Sequence, residues 1–174
     1  DPRELLERAK RELGPLDAEV APRVRVPFAV RDPAAEFAAS SDVRLRIDET
    51  FEPLEPHGGA TMRSAPDTGG FVVETRSSTD GFILPAFEFP PSGVAFIALD
   101  VESPVATALG VIDSRDADGD TSEAGLLREV QLPAGRHTLV FDIVHRGPPS
   151  RMIVHPGRVP GSFVVRSVEV RAGN

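Results

Sequence analysis

Apolar residues recur along this chain with two periods. Between residues 4 and 13 the spacing is helical, with Leu5, Leu6, Ala9 and Leu13 forming one stripe. Asp1 suits the N-cap and Pro2 the first helical position, while Glu4–Arg8 and Glu7–Arg11 are i,i+4 pairs in the favourable order. Gly14-Pro15 ends the helix. A helix this short is marginal alone in water. The stripe therefore predicts docking on its own domain, on a second copy, or on a neighbouring domain.

From Arg23 onward the period is two. Val24, Val26, Phe28 and Val30 alternate with other residues, and Pro27 confines that run to a sheet edge. Val43, Leu45 and Ile47 alternate with Arg44, Arg46 and Asp48. The same criterion predicts strands over 71–75, 81–84, 87–89, 94–101, 106–112, 129–132, 137–144, 151–154 and 162–170. Turn clusters separate them, among them Pro56-His57-Gly58-Gly59, Pro66-Asp67-Thr68-Gly69-Gly70, Pro90-Pro91-Ser92-Gly93 and Gly147-Pro148-Pro149. Many short strands with Gly and Pro punctuation predict a mainly β, antiparallel sandwich or barrel. The organisation is a helix over 1–15 and one β-domain over 16–174. In the last strand Phe163, Val165, Val168 and Val170 cannot share one face under strict alternation. Either a bulge sits near Arg166-Ser167, or both faces of a central strand are covered; the second reading is favoured.

Composition narrows the function classes. The 174 residues carry a formal net charge of −8, which argues against a nucleic-acid partner. No Cys is present, so thiolate nucleophiles, disulfides and Cys-based metal sites are excluded. That fits either redox compartment and leaves localisation open, with the cytoplasm slightly favoured. The longest apolar stretch, Gly93 to Leu99, is too short to span a membrane. The opening Asp1-Pro2-Arg3, without an initiator Met, reads as a processed product or a piece of a longer protein.

The stretch Leu132-Pro133-Ala134-Gly135-Arg136-His137-Thr138-Leu139-Val140-Phe141-Asp142-Ile143 is followed by Arg151-Met152-Ile153-Val154-His155-Pro156-Gly157 and Gly161-Ser162-Phe163-Val164-Val165-Arg166-Ser167-Val168-Glu169-Val170. This order resembles the end of a galactose-binding-like, carbohydrate-binding-module-like jelly roll, and residues 94–104 and 106–113 resemble the two preceding strands. It is similar to accessory β-sandwiches of bacterial glycosyltransferases and other polysaccharide-assembly proteins. Over roughly residues 70–172, the resemblance implies a jelly-roll β-sandwich and a non-catalytic role contacting glycan or a neighbouring domain of the parent protein.

The residues themselves point to little chemistry. No H-E-x-x-H, G-x-S-x-G, Walker or G-x-G-x-x-G motif is present. The acidic cluster around Asp116, Asp118 and Asp120 makes calcium the one candidate ion. The EF-hand pattern fails there, with Thr121 at the Gly position and Leu127 at the bidentate Glu position, so a solvated loop is the stronger expectation. A glycan site would draw on Asp142, His145, Arg146 and Arg151, around the loop at 147–150. With no Trp or Tyr, any stacking platform would have to be a Phe or an Arg face. A charged rim without ligand is the competing reading. The alternative classes are a structural domain that pairs as a homo-oligomer through the N-terminal helix and, more weakly, a glycan hydrolase.

Overall fold

A computed structural model of the chain describes residues 32–48, 51–113, 125–145 and 151–173. The helix expected over 1–15 and the strand over 24–30 lie outside these residues. Among the described residues a short helix, α1 (Pro33–Ala39), precedes eleven strands. These are β1 (Val43–Ile47), β2 (Glu55–His57), β3 (Thr61–Ser64), β4 (Phe71–Thr75), β5 (Gly81–Ile83), β6 (Val94–Ser103), β7 (Thr107–Asp113), β8 (Leu126–Leu132), β9 (Gly135–Val144), β10 (Met152–His155) and β11 (Gly161–Ala172). One sheet runs β3-β4-β11-β6-β9, with β1 also paired to β11; the other runs β2-β5-β10-β7-β8. Every pairing is antiparallel.

Alternation decides which residues enter the core. On β6, Ala95, Ile97, Leu99 and Val101 are buried in the core, whereas Ala98, Asp100 and Glu102 between them are half-buried on the other face. Phe71 on β4 meets Phe82 on β5 edge-on, at 5.6 Å between ring centroids, and so joins the two sheets. Each such side chain contributes about 2 kcal/mol of hydrophobic stabilisation.

Three expectations need correction. Residues 87–89 do not form a strand; Pro85 and Pro90 bracket them, and Phe87 reaches the core from a loop. The short edge strands β2 and β3 and helix α1 were not expected; Asp32 caps α1 by accepting from Ala34 N at 3.0 Å, with Pro33 at its start. Finally, β11 does contain a bulge. Val165 stands opposite Val101 and Ser167 opposite Asp100, so Arg166 is the extra residue. That shift returns Phe163, Val165, Val168 and Val170 to one buried face.

Phe96 faces away from this core, opposite Arg171 and Asp142, yet is fully buried. Helix α1 packs against β6 and β9. The Arg171 guanidinium lies 4.2 Å from the Phe37 ring centroid and donates to the Phe37 and Ser40 carbonyls at 3.0 and 2.8 Å, which holds the helix C-terminus.

Candidate functional site

The bulge in β11 creates the main cleft. Strand β4 pairs with the first half of β11, at Gly161–Val165, and β1 with the second half, from Val168 to Arg171. Both lie along the same side of β11, so a gap opens between them at Arg166-Ser167. Asp48, just past β1, closes one side of this gap, and the turn from Ser64 to Gly70, between β3 and β4, closes the other. The resulting cleft holds about 390 Å³ and is lined by Asp48, Ser64, Ala65, Pro66, Gly69, Gly70 and Arg166. That is within the size range of small-ligand sites.

Local sequence builds the walls. Ala65 N donates to the Gly70 carbonyl at 3.0 Å and Thr68 N to the Ala65 carbonyl at 3.2 Å, closing the turn. Gly69 and Gly70 take positive φ, at 73° and 82°. At Gly70 a Cβ would stand 2.2 Å from the Val165 carbonyl oxygen, so only glycine allows the turn to touch the bulge. Arg166 donates through Nε to the Thr68 carbonyl at 3.1 Å and through Nη2 to Glu102 at 2.7 Å. Its buried Nη1 has no hydrogen-bond partner among the described residues. The cleft therefore offers a fixed guanidinium, a carboxylate and a hydroxyl, groups suited to the hydroxyls of a sugar.

The surrounding face of the sheet carries arginine–carboxylate pairs. Arg136–Asp100 lies at 2.7 Å, Arg46–Glu169 at 2.9 Å, Arg171–Glu169 at 2.6 Å and Arg63–Glu74 at 3.5 Å. Burial alone would raise the Glu169 carboxyl, but Arg171 and Arg46 outweigh it and hold it below the usual range. No lining residue of the cleft is aromatic.

The site residues expected from the sequence have the following places. Asp142 lies on the outward face of β9 opposite Phe96 and pairs with Arg128 at 3.2 Å. His145 is buried, with Nδ1 3.5 Å from Asp113 and its ring 5.0 Å from Phe89. Arg151 precedes β10 and pairs with Glu55 at 2.5 Å. Arg146, and the calcium candidates Asp116, Asp118 and Asp120, lie outside the described residues. Sequence reading missed Asp48 and Arg166, although the broken alternation in β11 did point to the bulge.

A second polar cluster joins β2, the 76–80 loop and β10. Asp80, buried, accepts from Gly59 N at 2.8 Å, Arg76 N at 2.7 Å, and Ser77 N and Oγ at 3.0 and 2.9 Å. Burial would raise its carboxyl, but these hydrogen bonds prevail and lower it from 3.8 to about 2. His155, also buried, stacks on His57 at 6.0 Å, and its Nδ1 lies 3.1 Å from the Ser78 carbonyl. Among the described residues no group of three or more His, Cys, Asp or Glu is placed to hold a metal ion.

The architecture is a β-sandwich similar to those of carbohydrate-binding modules. The module of lichenase 5A from Cellvibrio mixtus, solved with cellotriose, aligns at a TM-score of 0.54 and 16% identity, over 76% of this chain and 99% of the module. The xylan-binding CBM22-1 domain of Paenibacillus barcinonensis Xyn10C aligns at 0.55 and 15% identity, over 76% and 95%. The CsCBM6-3 module of Clostridium stercorarium, solved with cellobiose, aligns at 0.54 and 14% identity, over 75% and 95%. No protein-family model and no curated protein matches the sequence. At these identities the likeness concerns the fold.

Proposed function

We propose that this chain is a non-catalytic carbohydrate-binding module that holds a neutral glycan segment in the cleft at the β11 bulge. The observation that carries the reading is the cleft itself, of sugar size, with the Arg166 side chain in its lining fixed by Glu102 and the Thr68 carbonyl. The arginine–carboxylate face around it and the fold shared with modules solved with cellotriose and cellobiose add support. Without an aromatic platform the cleft desolvates little ligand surface, so affinity falls in the micromolar-to-millimolar range. A glycan segment made of neutral residues suits a chain whose net charge is −8.

The biological setting is a second part of the proposal. The resemblance of residues 70–172 to accessory sandwiches of polysaccharide-assembly proteins supports a place beside a glycosyltransferase-type domain. The sequence upstream of Asp1 in the gene product tests it.

The binding test is calorimetric titration with cellotriose and xylohexaose, on the wild type and on Arg166→Ala, Arg151→Ala and Arg146→Ala. The cleft reading expects weak binding that Arg166→Ala removes and the other two leave intact. Loss with Arg151→Ala or Arg146→Ala alone would move the site to the 146–151 loop. Absence of glycan binding, with self-association that Leu5→Glu abolishes, would favour the structural class instead.

A further inference from the structure

The strand edges of the sandwich differ in how well they are protected. Natural sheets blunt their edges with short strands, proline, charged side chains, bulges or a covering helix or loop. Here β2 has three residues including Pro56, and β3 has four. The pairings of β1 and β8 are interrupted by register shifts. Strand β9 is long and unbulged; helix α1 packs against it and Arg128 of β8 reaches its Asp142. It pairs with β6 for ten residues, from Gly135 to Val144, without a shift, and contains neither proline nor lysine. It ends its sheet, so its other side meets no strand among the described residues.

The side chains of β9 are also self-complementary. Arg136 and Asp142 lie on the same outward face, with side chains 60% and 33% exposed. The segment Arg136-His137-Thr138-Leu139-Val140-Phe141-Asp142 reverses its charge about Leu139. Two copies laid antiparallel about Leu139 would set Arg136 opposite Asp142 of the second copy, twice over by symmetry, and Thr138 opposite Val140. Arg136 already holds Asp100, and Asp142 already holds Arg128. The two-fold pairing would extend each pair into a row of alternating sign: Arg128, Asp142, then Arg136 and Asp100 of the second copy. A register moved by two residues would instead set Arg136 against Val144 and lose both pairs.

We propose that β9 is an interaction surface for a second copy of this chain, forming an antiparallel dimer in which the two β9-containing sheets become continuous. This inference is independent of glycan binding, because the cleft lies across β6 and β11 from β9.

Sedimentation of the full chain at physiological salt, across micromolar to millimolar concentrations, tests it. Moderate salt is needed because two copies of charge −8 repel at low ionic strength. The wild type is expected to associate to a dimer. Arg136→Asp, which sets like charges opposite each other at two places, should weaken association about tenfold or more. Val140→Lys, which places a lysine on the half-buried edge, should also weaken it without lowering the melting temperature and so guards against a folding defect. A wild type that stays monomeric throughout overturns the proposal. So does association that ignores β9 and disappears with Leu5→Glu.

Discussion

Replacing Asp80 by Asn tests whether the polar cluster beneath the β2–β3 turn stabilises the sandwich. The substitution keeps the volume and removes the charge. Asp80 is 4% exposed and accepts four hydrogen bonds, from Gly59 N, Arg76 N, Ser77 N and Ser77 Oγ. A carboxamide has one acceptor oxygen, so its amino group must face at least one of these donors, leaving a buried N–H unpaired at a cost of about 1–3 kcal/mol. The depression of the carboxyl from 3.8 to about 2, which these same hydrogen bonds cause, corresponds to about 2 kcal/mol. The variant should therefore lose about 2 kcal/mol at neutral pH, read by urea denaturation. Because the folded-state value is the lower one, the stabilisation is complete above 3.8 and is lost as pH falls toward about 2. Wild type should lose about 1 kcal/mol relative to the Asn variant between about pH 5 and pH 3. A deficit below about 0.5 kcal/mol at neutral pH, or one that does not shrink with acid, would refute the reasoning.

Other outcomes follow from the same geometry. At Gly157 a Cβ would stand 2.3 Å from Cζ of the fully buried Phe163 ring, so Gly157→Ala should cost about 1–3 kcal/mol in chemical denaturation. Burial lowers the His155 imidazole, with the charges of His57 and Arg158 adding to it against the opposing Ser78 hydrogen bond and Asp80. Stability owed to neutral His155 is thus complete above 6.5 and lost as pH falls below it; a His155→Gln variant should show a flatter pH–stability profile in that window. Calcium should leave the melting temperature unchanged, and a rise abolished by Asp118→Ala would show that the 113–123 loop binds the ion.

Regular alternation made the long strands readable. β4 lies at the residues that Phe71-Val72-Val73-Glu74-Thr75 predicts, and β6, β9 and β11 extend their predicted runs by a few residues. The unexpected elements lack that pattern. Glu55-Pro56-His57 and Thr61-Met62-Arg63-Ser64 carry almost no apolar residues, and become strands because β5 and β4 offer them an edge. Helix α1 is too short for an amphipathic stripe; its anchor, Arg171 on Phe37, comes from the far end of the chain. The cleft was out of reach for the same reason. Asp48, the 65–70 turn and Arg166 meet only through the pairing of β1 and β4 with the two halves of β11. Arg146 and Arg151 were chosen as polar groups around one loop; Arg151 pairs with Glu55, and Arg146 lies outside the described residues.

Amide chemical-shift mapping during titration with cellotriose tests the central claim most directly, because it locates the ligand as well as detecting it. The account predicts saturable shifts centred on Asp48, residues 64–70 and Arg166, absent in Arg166→Ala while the rest of the spectrum is retained. Shifts confined to residues 142–151, or none at millimolar concentrations of cellotriose and of xylohexaose, would contradict it.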